Sequence, residues 1–131
     1  MSKINKKFIS IVLMFGLMGF SSLSLAEERI LTGDEITAMF SDKTVSGHHA
    51  FKDKKTINYF SADGTFKRIR LDIDESAEGK WWVDGKNHLC KQKKGDKKKC
   101  RGIVDDNGTI KKFKKKKHVW TYTKFEDGNK L

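Results

Sequence analysis

The sequence predicts a mainly β domain, in which a short N-terminal helix is followed by an antiparallel up-and-down meander of about eight strands, curled or closed into a small barrel. Three observations carry this. From Lys43 onward, turn signals recur every 9 to 12 residues, as "KDKK", "ADG", "DESAEG", "DGK", "KGD", "DDNG", "KKK" and "EDG". The runs between them are rich in Thr, Val, Ile and aromatic residues, which suit a pleated, half-buried surface. The connections are too short for a crossover, so neighbouring strands are antiparallel, and none of the 131 residues is a proline.

Residues 1–26 read as a signal peptide. Lys3, Lys6 and Lys7 form a positive segment, "FISIVLMFGLMGF" from Phe8 to Phe20 is a 13-residue apolar stretch, and "SLSLA" ends in small residues with cleavage after Ala26. Thirteen apolar residues fall short of the roughly 20 that a spanning helix needs, so no transmembrane segment is expected in the mature chain. Residues 27–42 form an N-terminal helical segment. Thr32 is placed to cap the amide three residues on while Glu35 reaches back, and Ile36, Met39 and Phe40 share one face. Residues 43–131 form the antiparallel β domain, with strands near 44–51, 55–61, 65–72, 79–83, 87–93, 98–104, 108–114 and 118–125.

The chain carries two cysteines, Cys90 and Cys100, and an exported protein meets an oxidising compartment, so a hairpin disulfide is expected. If Lys94, Gly95 and Asp96 make a three-residue turn, the two cysteines stand opposite each other. Zinc and dithiol redox chemistry both favour a CxxC spacing, which does not occur.

The net charge of +11 falls to +8 without the three lysines of the leader. Residues 27–79 carry 8 basic and 11 acidic side chains, whereas residues 80–131 carry 17 and 6. In a meander, alternate turns share one end of the sheet. One end therefore collects residues 52–55, 74–79, 93–99 and 114–117, three of them lysine-rich, while Asp63, Asp84, Asp105 and Asp106 gather at the other. The run "KKFKKKK" is thus a strand end and a turn, where water relieves repulsion between lysines.

The string "LTGDEI..MF..KTVSG", then "YF..DGT", "GKWWV" and "LC" with a second cysteine at 100, resembles an uncharacterised family of small secreted proteobacterial proteins. That resemblance implies a signal peptide, a short helix, a β-rich barrel-like domain and a hairpin disulfide, and it brings no catalytic residues. "GKW" is also similar to the G-x-W of lipocalins, which are calycin-like barrels. It lies near the fourth strand instead of the first, so Gly79 is read as a turn glycine before a core-facing Trp81.

Candidate chemistry is sparse. His48 and His49 are adjacent and would face opposite sides of a strand, and His88 and His118 are isolated, so no metal site is expected. Asp72, Asp74, Ser76 and Glu78 alternate faintly like a calcium loop, but Ala77 stands where the turn glycine is required. No G-x-S-x-G, H-E-x-x-H or phosphate loop occurs, so neither an enzyme nor a cofactor is expected. Two classes remain for a monomeric protein of the periplasm or extracellular space. One is a binding or structural module contacting a protein, an envelope component or a small ligand. The other is a polyanion binder, for lipopolysaccharide, nucleic acid or acidic glycan, that uses the lysine tips Lys93, Lys94, Lys97, Lys98, Lys99, Lys114, Lys115, Lys116 and Lys117.

Overall fold

Strong turn chemistry and short apolar runs produce a closed barrel. The computed structural model describes residues 28–131, so the signal peptide expected at residues 1–26 lies outside the described residues. The order is β1 (Glu28–Ile30), α1 (Gly33–Phe40), β2 (Lys43–His49), β3 (Lys55–Phe60), β4 (Thr65–Arg70), β5 (Glu75–Val83), β6 (His88–Lys93), β7 (Lys99–Asp106), β8 (Thr109–Lys114) and β9 (Lys117–Asp127). Strands β2 to β9 pair antiparallel with their sequence neighbours, and β2 pairs with β9 to close an eight-stranded barrel. The added strand β1 pairs with Val104–Asp106 of β7, on the stretch beyond the β6 pairing that ends at Gly102.

The helix forms as its sequence dictates. The Thr32 hydroxyl accepts from the Glu35 amide at 3.2 Å, while the Glu35 carboxylate accepts from the Thr32 amide at 2.9 Å. Ile36 and Phe40 are fully buried, and the Phe40 ring meets Phe60, Tyr122 and Phe125 edge-on at 5.2–5.3 Å. With Leu31 they fill the half of the barrel interior lined by Val45, Phe60, Trp81, Leu89, Ile103 and Ile110. Gly33 donates to the Asn87 side chain in the β5–β6 turn, which pins the helix across that end. One end of the barrel is therefore plugged.

Cys90 and Cys100 are direct cross-strand partners and form the disulfide. The expected tight turn is wider, because β6 stops at Lys93 and β7 starts at Lys99; Gly95 takes the positive φ (+86°) that the reversal needs. Strand β5 begins at Glu75 instead of 79, so "DESAEG" is mostly strand and the turn is Leu71–Asp74. Cross-strand charge explains the extension, since Glu75 on β5 pairs with Arg68 and Arg70 on β4. Gly79 is correspondingly no turn glycine. It lies inside β5, where a Cβ would sit 2.1 Å from the Gln92 carbonyl oxygen of β6. Trp81 is in the core as expected, its indole donating to the Ser61 carbonyl at 2.8 Å, and Trp82 is half-buried on the other face.

Candidate functional site

Side chains alternate across a strand, so the residues that face into the barrel recur every second position. On β6 they are Leu89, Lys91 and Lys93; on β7, Lys99, Arg101 and Ile103; on β8, Ile110, Lys112 and Lys114; on β4, Phe66 and Arg68. Each strand changes from apolar to cationic as it leaves the plugged half. The result is a cavity of ≈ 670 Å³ that opens at the lysine-rich end and is also lined by His49, Phe51, Lys52, Lys54, Asp96, Lys97, Lys117, Val119 and Trp120. Among the described residues lining it, Asp96 is the single carboxylate, and it pairs with Lys93 at 3.5 Å.

Of the nine lysines expected at the tips, Lys93, Lys97, Lys99, Lys114 and Lys117 line this cavity, so the two hairpins do meet at one mouth. Lys94 sits beside Gly95 in a shallower outer depression on β4, β5 and β6. Lys98, Lys115 and Lys116 are exposed outside the cavity lining, the last two forming the β8–β9 turn with Lys115 at φ 61°.

The deeper cations Arg68, Lys91, Arg101 and Lys112 were not singled out from the sequence, although the spacing Leu89-x-Lys91-x-Lys93 and Ile110-x-Lys112-x-Lys114 contains the signal. Lys91 donates to Asn58 Oδ1 at 2.8 Å and its ammonium lies 4.3 Å from the Phe66 ring centre and 5.5 Å from that of Phe60. Lys112 lies 5.3 Å from the Trp120 ring centre, and Lys117 lies 5.0 Å from that of Phe51. The Arg68 guanidinium reaches Glu75 at 3.3 Å with Nη2, while its Nε is buried without a hydrogen-bond partner. Arg101 spends one donor on the Cys100 carbonyl at 3.0 Å.

Burial, with repulsion from neighbouring cations, depresses the proton affinity of the two inner lysines. Lys91 is held well below the ordinary lysine range, first by burial and then by repulsion from Lys112, Arg68 and Lys99. Lys112 is lowered to about 8 by burial, with Arg101, Lys99 and Arg68 adding to it. Both keep some accessible surface because they line an open cavity, yet protein surrounds them on the remaining sides. His49 is lowered by burial and by Lys52, Lys54, Lys112 and Lys117. Its Nδ1 accepts from the amides of Phe51 (3.0 Å) and Lys52 (3.1 Å), which leaves the proton of the neutral ring on Nε2.

At the plugged end the acids serve the turns. Asp63 accepts from the Thr65 amide at 2.9 Å, Asp84 from the amides of Lys86 and His88 at 2.9 Å, and Asp105 from the Gly108 amide at 2.7 Å. Asp106 pairs with Lys111 at 2.6 Å. Asp84 also approaches Cys90 and Cys100, but the two sulfurs are joined to each other and are not thiolate ligands for a metal. Asp72, the first member of the calcium-like alternation, is ion-paired with Arg70. His48 and His49 point apart as expected for neighbours on a strand, His49 alone lining the cavity. No family model, curated protein or solved structure matches this chain.

Proposed function

We propose that this chain is an exported, non-enzymatic binding protein that receives an anionic ligand in the open end of its barrel. The observation that supports the reading is the convergence of four strands' inward-facing cations on one cavity with a single, already paired carboxylate. A lumen with that lining is a poor host for a neutral apolar molecule, because burying uncompensated charge is costly. It is a good host for phosphate, sulfate or carboxylate groups, which satisfy several donors at once. This shifts the expected polyanion contact from the lysine tips to the tips together with the lumen they surround. The signal peptide expected from the sequence and the resemblance to secreted proteins agree with a ligand met outside the cytoplasm, such as an acidic glycan or another anionic envelope component.

Titration of the purified protein with a short sulfated oligosaccharide, followed by tryptophan fluorescence, to which Trp120 in the cavity wall contributes, tests this. Log affinity is expected to fall linearly with log salt as counterions are released, by analogy with nucleic-acid binding. Affinity independent of salt, or no saturable binding at low salt, would overturn it.

A further inference from the structure

We infer that Arg68, Lys91, Arg101 and Lys112 form, at the inner end of the cavity, a discrete site for one compact doubly charged oxyanion group of the phosphate or sulfate class. This rests on the reading of the open end as an anion receptor and adds to it a chemistry and a stoichiometry.

Four separate strands, β4, β6, β7 and β8, each send one of these side chains to the same region. Three of the four charges have no carboxylate partner among the described residues. Arg68 is paired with Glu75 of β5 at 3.3 Å, but Lys91, Arg101 and Lys112 make no ion pair among the described residues, and Asp96 is engaged by Lys93 at the hairpin tip. Donors also remain unused. Lys91 gives one of its three N–H groups to Asn58, Arg101 gives one of five to a carbonyl, and the buried Arg68 Nε gives none. A buried donor without an acceptor is a rare and costly feature. A carboxylate brings one charge and two oxygens to this ring of donors. A tetrahedral dianion brings twice the charge and more acceptors, and two guanidinium forks with two ammonium groups match it better.

Binding also moves protons. The groups facing Lys91 and Lys112 from the surrounding elements are Arg68, Lys99, Arg101, Lys114 and His49, with Asp96 as the lone acid. Burial, with these cations adding to it, holds down the proton affinity of both lysines, with Lys112 at about 8. A bound dianion reverses the local field, so both lysines gain protons as it enters. Sulfate has no titration of its own near neutrality, so any uptake it causes belongs to the protein.

Calorimetry with sodium sulfate at pH 8, in buffers of different ionisation heat, reads the affinity and the proton count together. Saturable binding at one site with net uptake of protons is expected. Replacing Arg101→Met with Lys112→Met should weaken sulfate binding by about tenfold or more and reduce the proton uptake to the part that Lys91 contributes. This pair should not unfold the protein, because it removes crowded like charges. The rim variant Lys98→Ser/Lys115→Ser/Lys116→Ser should leave sulfate binding within about threefold, while weakening a long sulfated chain, since exposed lysines act through screened attraction. Inorganic phosphate and an alkyl phosphate monoester separate the sources of the group. Tighter binding of the monoester marks a head group on a larger molecule, and equal binding marks the free ion; both outcomes require the site. Sulfate binding without proton uptake, or weakened equally by the rim variant, would sink the inner site. Salt-sensitive capture of the long chain with no saturable sulfate binding would sink it too and leave the broader reading standing. Loss of both would remove both.

Discussion

Lys112 lies over the Trp120 ring inside a closed barrel, and its proton affinity, lowered to about 8, makes it a pH reporter of the cavity. In the unfolded chain it titrates near the ordinary lysine value of 10.5, so between the two values the unfolded state binds more protons. Stability therefore rises with pH across that interval, and Lys91, lowered in the same direction, adds to the trend. Tyr122 acts oppositely above pH 10, because burial raises its phenol and the folded state then holds the extra proton. Urea unfolding in an anion-poor buffer should accordingly show stability climbing from pH 8 to pH 10. The Lys112→Met protein should flatten that climb and should be more stable than the parent at pH 7, by roughly 1–3 kcal/mol. Falling stability over this interval in both proteins would mean that the cavity cations are not crowded as the structure places them. Sequence reading reached the rim and missed these inner residues for a physical reason. A run such as "KKFKKKK" is visible locally, whereas the inward orientation of Lys91 and Lys112 exists only relative to Leu89 and Ile110 two residues away.

The β6–β7 hairpin shows how one element ties core to cavity. Leu89 packs in the core, Cys90 and Cys100 are bonded across the strands, and Lys91 stands opposite Lys99 one step further on. The bond thus clamps the hairpin beside the point where two inward-facing lysines repel. Cys90→Ser with Cys100→Ser should cost roughly 3 kcal/mol in the chain-entropy picture of a short closed loop. For a domain of this size that lowers the melting midpoint by about 10–20 °C, and a reductant should have the same effect on the parent. An unchanged midpoint would show that strand pairing alone holds the hairpin. All eight barrel strands were legible in turn spacing because each turn carries its own chemistry, as Asp63 and Gly64 or Asn107 and Gly108 do. The start of β5 was not, since Glu75 and Glu78 look like a solvated acidic turn until Arg68 and Arg70 are known to lie across from them. The three-residue β1 is too short to show any period.

At the scale of the molecule, the acids at one end are bound up in turns, and the cations at the other surround an opening. Among the described residues the closed sheet leaves β2 to β9 no free edge for strand pairing, apart from the short β1 addition. The asymmetry expected from the turn order is present along the strands, but its purpose at the open end depends on the helix at the closed one. Because Phe40, Ile36 and Leu31 seal the far side, the lumen is a blind well and not a tunnel. A linear acidic chain can enter it only tip first, and it cannot be threaded. Cutting a fixed mass of a sulfated polymer into shorter pieces should therefore multiply the amount of protein it holds, in proportion to the number of tips created. Capacity that depends on mass alone would show that the chain lies across the rim. With an acidic polymer as its ligand, a protein built this way would count ends, and would tell a freshly broken polymer from an intact one of the same composition.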